Sequence, residues 1–269
     1  MSEGLTRNIR LLVQYDGTGF SGWQAQAGVR TVQGDVTAAL EGMVHHPVKL
    51  GGSSRTDAGV HAVGMPANFE TSRDIPLHGF VRGLNCNLAD DVAVLEAVEV
   101  PPQWDARDAA LAKTYCYRYL LGETRSPLLD RQSWWVSCRT LDVAAMQAAA
   151  QSLLGHHDFS AFRASKCNSR TRRRCMYAID VERDPDGAHV TMRVTGNAFL
   201  RNMVRIMAGT LYRVGRGQMP VAEVAEVLAS LDRTRAGMTA PARGLTLEIV
   251  HFEGYPRVGK RDSPPTDVA

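Results

Sequence analysis

The sequence predicts an α+β fold made of two α/β halves, with largely antiparallel sheets flanking a central active-site cleft. Three observations predict it. Stretches with strand and helix periodicity interleave throughout the chain. Turn signals such as Asp186-Gly187 sit between alternating runs and favour antiparallel pairing over a doubly wound parallel sheet. Pro101-Pro102 breaks the chain between the two sets of elements. A length of 269 residues fits two such halves. We read residues 1–107 as an N-terminal α+β domain, 108–255 as a C-terminal one, and 256–269 as a flexible tail.

Each element has its own signal. Ile9, Leu11, Val13 and Tyr15 share one side of a strand over 8–15, closed by the glycine-rich Asp16-Gly17-Thr18-Gly19. Thr31 reads as the N-cap of a helix carrying Val32, Val36, Ala39, Leu40 and Met43. A strand, a turn and a second strand run from Val48 to Phe69, and a short helix covers Leu77 to Leu84. Val92 to Val100 alternates as a strand. In the second half, Lys113 to Leu121 is a strand with Tyr115, Tyr117 and Tyr119 on one face. Asp142 caps a helix reaching Leu153. Tyr177–Glu182 and His189–Thr195 form a hairpin. Helices over Phe199–Val214 and Val221–Leu231 follow, then a strand over Leu245–Phe252. On that reading Arg201 and Arg205 lie four apart on one helix face.

The net charge of +3 is too small to announce nucleic acid by itself. Its distribution says more. Arg163, Lys166, Arg170, Arg172, Arg173 and Arg174 form a run without an acid, and Val194–Arg216 is equally free of Asp and Glu. Clustered cations in a near-neutral chain point to a face that meets phosphates, with a plain solvated loop as the alternative. The five cysteines are odd in number and include no Cys-x-x-Cys pair, which argues against a disulfide framework or a structural zinc site. The adjacent pairs His45-His46 and His156-His157 lack metal-ligand spacing, so no metal is expected. The N-terminus has no apolar signal region, and no apolar run approaches the ~20 residues of a membrane helix. A soluble cytoplasmic protein is expected.

The chemistry concentrates in Ser53-Ser54-Arg55-Thr56-Asp57-Ala58-Gly59-Val60-His61-Ala62. Taken alone, Asp57 reads as a turn-capping residue. The word from Arg55 to His61, however, closely resembles the active-site loop of the tRNA pseudouridine synthase A family, whose Asp is the nucleophile. Further matches follow in the family's order. They are Tyr15-Asp16-Gly17-Thr18-Gly19-Phe20-Ser21-Gly22-Trp23-Gln24, Lys113-Thr114-Tyr115-Cys116-Tyr117-Arg118-Tyr119 and Asn197-Ala198-Phe199-Leu200-Arg201-Asn202-Met203-Val204-Arg205. Lesser echoes are His157–Arg163 and Ala240-Pro241-Ala242-Arg243-Gly244-Leu245. Together they span roughly residues 8 to 253.

The resemblance implies the pseudouridine synthase fold and an isomerase that converts uridine to pseudouridine in the anticodon stem-loop of tRNA, at tRNA positions 38, 39 and 40. It implies a homodimer and no cofactor. Breaking the bond from C1′ to N1 and remaking it to C5 consumes neither water nor a redox partner, but it does need a nucleophile. Asp57 is the candidate. Arg205 matches the family residue that pairs with that carboxylate, and a bidentate guanidinium suits the task; a phosphate clamp is the alternative. Arg55 matches the residue that intrudes into the RNA as the base is extruded, at a cost of a few kcal/mol. Its spacing of two from Asp57 lets both face one side. Tyr115 offers a stacking platform for the flipped uracil. With a pKa of about 10 it needs activation to act as a base, so the group that takes the C5 proton stays unassigned. Arg163, Arg170, Arg201 and Leu245 complete the expected substrate contacts.

For Phe20 and Trp23, core anchoring and RNA contact are equally open. The sequence departs from the family at Ser54, at Trp104-Asp105, and at Met65-Pro66-Ala67, which is expected to interrupt the strand after His61. Two rival readings keep parts of this pattern. A non-catalytic RNA-binding module would keep the basic surface without needing Asp57, and a hydrolase would use Asp57 with His61.

Overall fold

Alternation in the sequence becomes pleat at the first strand. In the computed structural model, which describes residues 6–165, 167, 169–185 and 187–256, Ile9, Leu11 and Val13 of that strand are wholly buried. In chain order the strands are β1 (Arg7–Tyr15), β2 (Gly51–Gly52), β3 (His61–Thr71), β4 (Val92–Val100), β5 (Ala112–Leu121), β6 (Trp134–Val136), β7 (Gly155–Asp158), β8 (Arg173–Arg183), β9 (His189–Gly196) and β10 (Leu245–His251). The helices are α1 (Val32–Val44), α2 (Leu77–Asn87), α3 (Val143–Ala150), α4 (Met203–Gly215) and α5 (Glu223–Ser230). Two compact units result, one from Met1–Ala110 with Leu247–Phe252, the other from Leu111–Thr246 with Glu253–Ala269. Lys166, Asp186 and the tail from residue 257 lie outside the described residues.

The first unit orders its strands β4-β1-β3-β10, with β2 beside β3. Thr31 caps α1 as expected, its hydroxyl accepting the Gly34 N–H at 3.2 Å. Val32, Val36, Leu40 and Val44 form the helix's buried stripe. α2 sends Phe80 and Leu84 into the core, where Phe80 meets Phe69 edge to face at 5.5 Å. β3 runs unbroken through Met65-Pro66-Ala67, contrary to expectation. Pro66 stands opposite Leu12 of β1, and its carbonyl accepts the Ser53 N–H at 2.9 Å from the other side. The missing N–H faces away from β1, so that ladder loses no bond.

The second unit orders its strands β5-β9-β8-β7, all antiparallel, with β6 running parallel to β5. Tyr117 and Tyr119 of β5 are fully buried, and their hydroxyls donate to the Pro241 and Ala208 carbonyls at 2.9 Å each. Burial raises both phenol pKa values. α4 corrects one expectation. It begins at Met203, not Phe199, because Asn202 adopts a left-handed φ of 61° and breaks the helical run. Arg201 therefore sits in the preceding turn and does not share a helix face with Arg205. Gly209 lets α4 approach its neighbour closely, since a Cβ there would lie 1.9 Å from the Met238 carbonyl oxygen. The strands β6 and β7 have no counterpart in the sequence reading. Among the described residues no helix is long and apolar enough to cross a membrane.

Candidate active site

The Asp57 loop is a short extended segment held from below. Thr56 is 7% exposed, whereas Arg55 before it is exposed and Asp57 after it is half-buried. The two charged side chains thus flank a residue that is turned inward. Four contacts hold the loop. Trp23 N–H donates to the Thr56 carbonyl at 3.1 Å, and the Tyr15 and Thr56 hydroxyls bond at 2.8 Å. Val60 N–H donates to the Asp57 carbonyl at 3.1 Å, and Gly59, with φ of 77°, donates to the Phe20 carbonyl at 3.2 Å. At the loop's root, the Ser53 hydroxyl donates to the Ala106 carbonyl at 2.7 Å.

Trp23, Phe20 and Tyr15, which hold the loop, all belong to the Tyr15–Gln24 word. Trp23 and Phe20 are core residues, 1% and 4% exposed, which decides between the two roles left open for them. Gly22 approaches so closely that a Cβ would meet the Thr56 carbonyl oxygen at 2.6 Å, and at Gly17 it would meet that of Val60 at 2.0 Å. His61, 3% exposed, accepts the Gly17 N–H on Nδ1 at 3.0 Å. A polar tie missed by sequence reasoning braces this word from outside. Arg30 lies over the Phe20 ring at 4.1 Å and forks onto both Asp91 carboxylate oxygens at 2.7 and 2.8 Å. No spacing signal links residues 30 and 91, since only the folded sheet brings them together.

The second unit gathers the other expected residues. Tyr115, 6% exposed, packs its ring edge against Phe199 at 5.1 Å. Arg205, in the first turn of α4, donates from Nε to the Ala240 carbonyl at 2.7 Å and from Nη1 to Asn202 Oδ1 at 3.0 Å. Ala240 N–H returns a bond to the Arg205 carbonyl at 3.1 Å. The Ala240–Leu245 word is therefore fastened by Arg205 at one residue and by Tyr117 at the next. Leu245 is 6% exposed at the start of β10.

The basic run divides by burial. Arg170, Arg172 and Arg173 are exposed and Arg163 is half-buried. Arg174 is 8% exposed and donates to Ser169 Oγ at 2.7 Å and to the Thr171 carbonyl at 3.2 Å, so it organises the loop from within. Ala164 N–H donates to the Arg201 carbonyl at 3.0 Å, which joins this loop to the turn before α4, and Arg201 itself is exposed. The structure thus brings the loop carrying Arg163 and the turn carrying Arg201 to one rim of the second unit, with Arg163 half-buried and reaching the Cys167 carbonyl at 3.5 Å. Asp57 and Arg55 belong to the first unit, and Tyr115, Arg163, Arg170, Arg201 and Arg205 to the second. Among the described residues no group of three His, Cys, Asp or Glu side chains is placed to hold a metal ion.

Comparison with known proteins converges on one family. A family model described as tRNA pseudouridine synthase matches residues 11–107 and 149–253. A tRNA pseudouridine synthase A of Geobacter sp. (strain M21) is 47% identical over 91% of this chain and 99% of its own length. Its counterpart in Citrifermentans bemidjiense is 46% identical over 92% and 98% of the two chains. That of Myxococcus xanthus is 44% identical over 96% and 93%.

Proposed function

The chain belongs to the tRNA pseudouridine synthase family and is an isomerase acting on tRNA, and we propose that it converts uridines of the anticodon stem-loop, at tRNA positions 38, 39 and 40, by covalent capture on Asp57. The observation that carries this reading is the mounting of that residue. Asp57 is half-buried and follows the exposed Arg55 by two residues, on a loop whose intervening Thr56 is anchored in the core. A nucleophile that must meet an extruded nucleotide needs a fixed backbone.

In the proposed sequence the target uridine leaves the stack, which costs a few kcal/mol. Arg55 occupies the vacated space and Tyr115 stacks on the flipped uracil. A carboxylate oxygen of Asp57 bonds to the nucleotide and the N1–C1′ bond breaks. The uracil turns, C5 bonds to C1′, the bond to the Asp57 oxygen breaks and returns its electron pair to the carboxylate, the C5 proton leaves and N1 takes one up. Atoms balance without a cofactor. Arg205 holds the carboxylate ionised and aimed. The half-buried Arg163 and the exposed Arg170 and Arg201 grip the RNA backbone with little sequence preference, and Leu245 adds an apolar contact at the substrate. The reading includes a cytoplasmic homodimer in which both subunits touch one tRNA.

The decisive experiment incubates the protein with unmodified tRNA transcript and maps the uridine isomers. Wild type is expected to convert positions 38 to 40, and Asp57→Ala to bind without converting. Conversion by Asp57→Ala would overturn the nucleophile assignment, and conversion elsewhere in the tRNA would overturn the target. Release of free uracil would mark a hydrolase.

A further inference from the structure

We propose that the buried hydrogen bond between the Tyr15 and Thr56 hydroxyls sets the aim of the Asp57 carboxylate, which makes Tyr15 and Thr56 positioning residues for the isomerisation. The proposal rests on the reading of Asp57 as the nucleophile. Thr56 immediately precedes Asp57, and its carbonyl belongs to the peptide plane that joins them. Trp23 N–H holds that carbonyl at 3.1 Å and so fixes the tilt of the plane. The hydroxyl bond to Tyr15, at 2.8 Å, fixes the Thr56 side chain. Because a β-branched residue is stiff about χ1, holding its hydroxyl also holds its Cα. On the far side, Val60 N–H holds the Asp57 carbonyl at 3.1 Å. Both peptide planes flanking Asp57 are therefore pinned, which fixes the direction in which its side chain leaves the backbone.

The Tyr15 end of the bond is rigid as well. Tyr15 closes β1, is 3% exposed, and packs its ring against Phe20 at 6.5 Å and Trp23 at 6.2 Å between centroids. The hydroxyl is thus delivered from a strand end and an aromatic cluster onto the residue beside the nucleophile. Tyr15→Phe keeps the ring and its packing and deletes one oxygen. Thr56→Val keeps the branched shape and deletes the other. Each variant tests the bond while leaving the buried volume nearly unchanged.

The test measures single-turnover conversion and the tRNA dissociation constant for Tyr15→Phe, Thr56→Val, the double variant and Thr56→Ser, all well below each melting temperature. A misplacement of 1 Å costs about a hundredfold, so the smaller drift expected here lowers the rate about tenfold in each single variant, with tRNA affinity unchanged. The double variant is expected to be no slower than the slower single one, since both delete the same bond. Thr56→Ser, which restores the hydroxyl, is expected to recover most of the rate lost in Thr56→Val. A wild-type rate in Tyr15→Phe, losses that multiply in the double variant, or an equal loss of affinity would each overturn the proposal. So would a lowered melting temperature with an unchanged rate. Asp57→Asn run in parallel separates this from the underlying reading: conversion by that variant removes the nucleophile assignment, whereas an inert Asp57→Asn beside a wild-type Tyr15→Phe removes only the positioning role.

Discussion

The Asp57 loop and the arginine rim solve opposite problems with the same kind of chain. Both are irregular segments that present charge. The first ties its backbone to the core through Trp23, Phe20, Val60 and the Tyr15 hydroxyl, and leaves Arg55 exposed and Asp57 half-buried. The second leaves Arg170, Arg172 and Arg173 exposed and turns Arg174 inward to hold the loop together. A covalent step tolerates little error in position. Phosphate contact is long-ranged and forgiving, so flexible cations on an ordered rim suffice. On the proposed function, rigidity is concentrated where bonds are made and relaxed where the substrate is merely held.

That contrast can be broken by mutation. The largest effect is expected from Asp57→Asn, which lowers conversion by at least about 10⁴-fold while gel-shift affinity for tRNA stays near wild type. Next is Arg205→Lys, which loses the planar fork that spans Ala240 and Asn202; turnover is expected to fall about 10- to 100-fold, far more than affinity, and equal losses would mark a phosphate clamp instead. Gly17→Ala attacks the brace itself. Its Cβ would lie 2.0 Å from the Val60 carbonyl oxygen, so denaturant unfolding is expected to register a loss of about 3 kcal/mol, with a slower single-turnover rate. Tyr115→Leu removes a stacking surface worth about 1–3 kcal/mol per base, whereas Tyr115→Phe, which keeps the ring, loses far less turnover. The smallest effect is expected from Arg172→Ala, which lowers the salt dependence of tRNA affinity by about one ion and leaves the single-turnover rate alone. A larger effect on rate than on affinity there would erase the division between the two regions.

What the sequence revealed follows from how local each signal is. β1 and β4 were legible because one face alternates apolar residues, and α1 because Thr31 caps a clean stripe. β6 has three residues and β7 reads Gly-His-His-Asp, so neither carries a period. The start of α4 was misread because Phe199, Met203 and Met207 keep helical spacing straight through Asn202, whose left-handed backbone leaves no mark in a periodicity. At the site, Asp57, Arg55, Tyr115 and Arg205 stood out as parts of recognisable words. Their supports did not. Thr56 finds Tyr15 across 41 residues and Arg30 finds Asp91 across 61, pairings that exist only once the strands are laid side by side. Arg174 counted as one more positive charge until burial set it apart from its neighbours.

Pro66 shows how one ring can shape the site from outside it. Gly51 and Gly52 pair with Asn68 and Ala67, and the next rung would join Ser53 to Pro66. Only half of that rung forms, because Ser53 can give a hydrogen to the proline and the proline has none to give back. The zipper stops one step short of the reactive word. β2 ends at Gly52, and beyond it the main chain meets Trp23 and Phe20, which bond the Thr56 carbonyl and the Gly59 N–H.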